Sequence, residues 1–186
     1  VDKEIAQEEE CFAFLKHQSA GVIVADSCGD AIDLFERNFI NISIVNAAIV
    51  DKTGTPLFQR LREMDQEAQI IVIADEASPQ SLKAMINDGV DGYMDKPLKL
   101  PTLKGVLERC IYQVLNPISG FYNKNKIKDF LKISDTGTLI LVDLDNLDHY
   151  NSAYGLAFGE ELVSETARFL DRFKPDGSKI WQISAG

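Results

Sequence analysis

Asp143 and Asp145 close an apolar run, Leu-Ile-Leu-Val at residues 139–142, and a stretch with helical spacing follows that carries Asn151, Gly155, Gly159 and Glu160. A buried strand that delivers carboxylates to its C-terminal tip is one way to hold a hard cation against phosphates. Mg²⁺ takes oxygen ligands and usually draws only one or two of them from protein. The plainer alternative is an ordinary strand whose terminal acids are solvated. Spacing alone leaves both readings open.

The elements that must position these residues follow from periodicity. In the first part of the chain, helix-like and strand-like segments alternate. Residues 2–17 read as an amphipathic helix with Ile5, Phe12 and Leu15 inward, 22–25 as a short strand and 31–37 as a helix. Strands follow at 42–47, 70–74 and 92–94, separated by helices at 56–64 and from Ser78 to Gly89. Ser78-Pro79 is a helix start, with a capping hydroxyl before a proline at the first helical position, and Leu82, Met85 and Ile86 face inward behind it. The helix at 100–115 carries Leu103, Val106, Leu107, Cys110, Ile111 and Val114 on one stripe. Strands alternating with helices of this length predict a doubly wound parallel sheet covered on both faces.

Asn116-Pro117 ends that helix, because proline disfavours helical geometry at the residue before it. The sequence therefore predicts two domains, 1–115 and 116–186. The second opens with a Lys-rich helix at 124–132 and continues with the strand at 139–142. A long helix then runs to about Phe173, followed by a turn at Pro175-Asp176-Gly177 and a last strand at 180–183. Tyr150 and Tyr154 read as core or helix-face residues.

Composition bounds the function. With 186 residues, 45% apolar and 26% charged, the chain can build real cores. Residues 1–115 hold 19 acids against 11 bases and 116–186 hold 10 against 8, net −8 and −2. Neither half offers a basic face to a polyanion, so no nucleic-acid partner is expected. The Glu8-Glu9-Glu10 run reads as a solvated helix face. No apolar run reaches the roughly 20 residues of a membrane helix. The acidic N-terminus does not resemble a signal peptide. Cys11, Cys28 and Cys110 are odd in number and far apart, which reads as reduced thiols of a cytoplasmic protein.

The stretch 138–163 resembles the first half of a GGDEF (diguanylate cyclase) domain, an α/β nucleotidyl-cyclase-like fold. Asp143, Asp145, Asn151, Gly155 and Gly159 fall in register with its Asp-x-Asp-x-Phe-Lys-x-x-Asn-Asp-x-x-Gly-His-x-x-Gly-Asp pattern, and Asn-Pro-Ile-Ser-Gly-Phe-Tyr-Asn-Lys at 116–124 resembles the motif that opens the same domain. The resemblance implies a metal role for Asp143, with Mg²⁺ as the cofactor, and contacts from Asn151 and Glu160 to a guanine edge. Several positions depart from the pattern. Glu160 is one methylene longer than the family Asp. Asp148 replaces a Lys, and Leu147, Ser152 and Leu156 replace Phe, Asp and His. Trp181-Gln182-Ile183-Ser184-Ala185-Gly186 resembles the strand leading into the signature hairpin, with Ser184-Ala185 or Ala185-Gly186 in the Gly-Gly place. The Asp-Glu-Phe that the resemblance places next is not in the sequence, which reads as a truncated GGDEF domain.

The first domain resembles a response-regulator receiver, a flavodoxin-like fold. Gly89-x-x-Gly92-Tyr93-x-x-Lys96-Pro97 resembles its final strand and Lys-Pro turn, Val1-Asp2-Lys3-Glu4 the end of its first strand, and 42–54 its phosphoacceptor strand and loop. The resemblance puts Asn46 at the phosphoacceptor position, Lys3 at the second acid and Ala74 at the hydroxyl, leaving Asp2 and Lys96 unchanged. An amide is no nucleophile for phosphoryl transfer. One acid beside two ammonium groups offers a metal little, so no cofactor is expected there. Either Lys3 and Lys96 neutralise Asp2 without metal, or the positions drifted in a domain that became a spacer.

Three functions follow from these resemblances. The first is a two-component or cyclic di-GMP signalling regulator without an intact catalytic site, acting through dimerisation or contacts with partner signalling proteins. The second is an active diguanylate cyclase that joins two GTP. The third is an effector that binds GTP or cyclic di-GMP and controls a phosphodiesterase domain. A homodimer is the expected assembly.

Overall fold

The structure is a computed structural model that describes residues 8–18, 21–75, 77–124, 127, 130–131 and 136–183. The chain divides into two compact units, Val1–Ile111 and Tyr112–Gly186.

In the first unit, strands β1 (Ile42–Asn46), β2 (Gln69–Ala74) and β3 (Gly92–Asp95) form a parallel sheet in the order β1-β2-β3. Parallel neighbours need long crossovers, supplied by α3 (Leu57–Met64) and α4 (Pro79–Asn87). Helices α1 (Glu9–Gln18), α2 (Cys28–Arg37) and α5 (Leu100–Val114) complete the layers. β2 is an unbroken apolar run because both of its faces are covered: Ile70, Ile71 and Val72 are 0% exposed. Ile71 and Ile73 pack with Met94, Leu103, Val106, Leu107, Cys110 and Cys11 on the α1/α5 side. Ile70 and Val72 join Val45, Leu57, Phe58, Leu61 and Val90 on the other. The sheet is wound on both faces, as the alternation of periods predicts.

Two side-chain devices fix the helices. Ser27 and Ser78 accept from the amides of Asp30 and Ser81, each 3.1 Å away, and cap α2 and α4, with Pro79 following Ser78 as expected. Arg62 of α3 donates to the carbonyls of Gln66 and Gly89 and pairs with Asp91 at 2.6 Å, while Asp91 Oδ2 accepts from Ile70 N. That clamp ties α3 to the turn that launches β3.

The structure corrects several expectations. Residues 22–25 form no strand, and Ile23 and Val24 are 49% and 44% exposed. An extended segment becomes a strand only by pairing, and the described residues provide no partner strand there. α1 starts at Glu9, and residues 2–7 of its expected span lie outside the described residues. Ile86 is exposed rather than inward, at 67%.

In the second unit β4 (Tyr122–Asn123) and β5 (Trp181–Gln182) pair in parallel. Asn116 Oδ1 accepts from the amides of Ile118 and Ser119, and Ser119 Oγ donates to Gln182 Oε1 at 2.6 Å, fastening this loop to β5. The Lys-rich helix expected at 124–132 lies largely outside the described residues. The strand expected at 139–142 is absent. Leu139, Ile140 and Leu141 are 70–77% exposed, since an apolar strand needs neighbours on its edges and faces and the described residues pair none with it. The single long helix is two, α6 (Leu147–Tyr154) and α7 (Leu156–Phe173). They break at Gly155, whose φ of +92° disfavours any residue with a Cβ. The turn after α7 closes as expected, with Ser178 N donating to Pro175 O.

Gly92 marks the closest approach of β3 to α5, since a Cβ there would lie 2.5 Å from Val106 Cγ1 and 3.2 Å from Ile71 Cγ1. Gly92→Ala is expected to lower stability by about 1–3 kcal/mol in urea unfolding with little change in the m-value, the cost of overpacking. Burial raises the Cys110 thiol from 9.0 to about 11. Its thiolate fraction near pH 8 is therefore about 100-fold below that of an ordinary thiol, and native alkylation followed by mass spectrometry should mark the more accessible Cys28 well before Cys110.

Candidate functional site

Parallel pairing puts the C-terminal ends of all three strands on one edge, where doubly wound sheets bind their ligands. Asn46 ends β1 opposite Ile73, and Ala74 ends β2 opposite Asp95, the residue before Lys96. The ladder continues past the tips: Ala47 N donates to Ile73 O at 2.8 Å and Lys96 N to Ala74 O at 2.9 Å. Asn46, Ala74 and Lys96 are thus brought to one edge. Asp2 and Lys3 lie outside the described residues. The Asn46 carboxamide is turned onto its own loop, its Oδ1 accepting from Ala48 N at 2.9 Å. Ala74 presents a methyl, which neither donates nor accepts.

Two residues at this edge were given no role of their own from the sequence. Tyr93, on β3, donates its hydroxyl to Asp95 Oδ1 at 2.5 Å and to Asp75 O at 3.2 Å, joining β3 to the loop after β2. Burial first, and then the Asp95 carboxylate, raise its phenol above the ordinary value. Asp51 organises the loop after Asn46. Its Oδ1 accepts from Thr53 N, Thr55 N and the Thr53 hydroxyl, and its Oδ2 pairs with Arg60 at 2.6 Å. The Thr53 hydroxyl and then the Arg60 guanidinium hold the Asp51 carboxyl far below the ordinary carboxylate range. An Asp four residues before a Thr and nine before an Arg is a faint sequence signal, legible only once the loop is known to fold back on α3.

In the second unit Asp143, Asp145 and Glu160 are exposed and Asn151 is half-buried. Among the described residues no three His, Cys, Asp or Glu side chains converge as metal ligands would. Asp143, the metal ligand that the resemblance names, ends the exposed 139–142 segment with its carboxylate open to solvent. Asn151 lies on α6 and Glu160 on α7, on either side of the Gly155 corner. Tyr150 and Tyr154 occupy a helix face rather than the core, stacked with ring centroids 6.4 Å apart and with Phe158 next to Tyr154 at 5.1 Å. Among the described residues no helix is long and apolar enough to cross a membrane.

A parallel sheet covered on both faces, with polar residues gathered at its C-terminal edge, defines the flavodoxin-like class of α/β folds. Residues 1–108 match the response regulator receiver domain family, and the chain belongs to that family, a family of two-component signal transduction. Its fold is similar to that of a CheY-like response regulator receiver domain protein from Methanospirillum hungatei JF-1, at 20% identity, 60% of this chain and 89% of that one, with a TM-score of 0.50. A two-component response regulator from Clostridium difficile is similar over the same shares of the two chains, at 22% identity and a TM-score of 0.51. No curated protein matches the chain.

Asp51→Ala is expected to release the loop without unfolding the sheet, seen as at least tenfold faster amide exchange at Thr53 and Thr55 with little change on β2. The folded-state pKa of Asp51 is depressed, so its contribution is present above the unfolded value near 3.8 and is lost only as the pH falls through the lower folded value. The two amides should therefore remain protected at pH 4 in the unsubstituted protein.

Proposed function

We propose that this chain is a signalling regulator whose receiver does not take the aspartyl-phosphate switch and whose second unit is a degenerate GGDEF-like domain that acts through dimerisation or contacts with partner signalling proteins. The observation that carries the reading is Asn46 at the tip of β1. Phosphoryl transfer to a strand end requires a carboxylate nucleophile, and a carboxamide has neither the charge nor the lone-pair basicity to attack phosphorus. Ala74, on the adjacent tip, offers no hydroxyl to an incoming phosphoryl oxygen. Lys96 keeps a cation at the same edge, and position 46 carries no carboxylate.

A second reading, that the GGDEF-like unit binds GTP or cyclic di-GMP without turning it over, is favoured by the α6–α7 corner. There a carboxamide and a carboxylate stand one on each helix, the pair of group types that complements the donor and acceptor edge of guanine. Asp148 weighs against catalysis, because a carboxylate where the family pattern has Lys repels phosphate.

Incubation with acetyl phosphate and Mg²⁺, read by intact-protein mass spectrometry, is expected to leave residues 1–111 unmodified. A stoichiometric phosphate adduct there, or GTP turnover that Asp143→Ala abolishes, would replace the regulatory reading with a phosphorylatable receiver or a working cyclase.

A further inference from the structure

Gly155 is the sole residue between α6 and α7, and it turns the chain sharply enough to bring one turn of α7 back against the last turn of α6. Asn151 lies one turn before this corner and Gly159 one turn after it. Gly159 is buried and Asn151 half-buried. A Cβ built on Gly159 would stand 2.8 Å from Asn151 Cγ and 3.3 Å from its Nδ2, and closer still to Oδ1. The space a side chain would fill at 159 is occupied by the Asn151 carboxamide. Alanine is the better helix former, so glycine within α7 is locally unfavourable, and the notch gives it a role.

We propose that Gly159 is a positioning residue: its missing side chain makes the notch that orients the Asn151 carboxamide for recognition of a guanine-type nucleotide, with Glu160 the next residue along α7. The recognition half of this inference rests on the nucleotide reading above; the packing half does not. What a Cβ at 159 meets is the movable end of a side chain, not backbone. Gly159→Ala therefore turns the carboxamide out of the notch while the helices stay folded. A site built to hydrogen-bond one edge of a ligand discriminates through donor and acceptor placement, so a displaced amide removes preference more than it removes folding.

The test pairs Gly159→Ala with Asn151→Ala in the full chain. In melting experiments, Gly159→Ala should raise the melting temperature in the Asn151→Ala background, where nothing fills the notch, and fail to raise it in the unsubstituted protein. Equal shifts in the two backgrounds would overturn the notch itself. The Asn151 side-chain amide resonances in ¹⁵N spectra should move on Gly159→Ala; unchanged shifts would count against it in the same way. Calorimetry with GTP and with ATP, each as its magnesium complex, reads the other half. The unsubstituted protein should prefer GTP by at least tenfold, and Gly159→Ala should erase that preference. Retention of the preference in the variant would overturn the positioning role. Binding of neither nucleotide by the unsubstituted protein would end both the recognition half and the reading it rests on, whatever the melting data show about the notch.

Discussion

Burial of β2 on both faces is the constraint from which the first unit follows. A six-residue strand with its interior residues at 0–1% exposure needs a helical layer on each side and a paired strand at each edge. Parallel neighbours satisfy the edges only through helical crossovers, and the crossovers themselves supply the layers. Once that arrangement is set, every strand points its C-terminal end the same way. Asn46, Ala74 and Lys96 come from distant parts of the chain and reach one edge because the ladder leaves them no other place. The site is a by-product of sheet direction, and its chemistry is decided by three side chains that carry little of the folding energy.

That separation leaves the scaffold independent of what the three strand-end side chains are. Replacing a carboxylate by a carboxamide at a strand tip removes a negative charge and a nucleophile but disturbs neither core cluster. The ionic order of this edge lies in the loop after β1, at Asp51. That carboxylate gathers two backbone amides, a threonine hydroxyl and the Arg60 guanidinium, and it fixes the loop that follows Asn46. Charge-assisted bonds of this kind shape a loop effectively, even where an exposed ion pair alone adds little to stability. The loop thus has a defined form that depends on no modification at Asn46.

Much of the first unit was legible in the sequence because its signals are local and redundant. β2 is an unbroken apolar run, Ser78-Pro79 is a complete helix start, and the stripe on α5 repeats through four turns. The two strands that did not form share one cause. Residues 22–25 and 139–142 have the composition of strands, but a strand is a relation between two segments, and composition does not name the partner. The break at Gly155 was missed because a glycine inside a helical pattern is ambiguous until its φ is known; at +92° it ends one helix and aims the next. Tyr93 was read only as part of the final-strand motif and Asp51 only as part of the 42–54 loop, since their ties to Asp75 and Arg60 are made by folding.

The second unit is organised by a different logic. Against buried Leu147 and Ala167 it exposes Leu139, Ile140, Leu141, Tyr154, Leu156, Phe169 and Phe173. Around the α6–α7 corner, backbone geometry sets the positions. Asn146 in the left-handed region starts α6, Gly155 sets the corner, and Gly159 opens the space beside Asn151. Positions fixed by backbone conformation tolerate change in neighbouring side chains. Asn151, Gly155 and Gly159, the positions that the resemblance aligns with the GGDEF pattern, are those at which this backbone geometry acts.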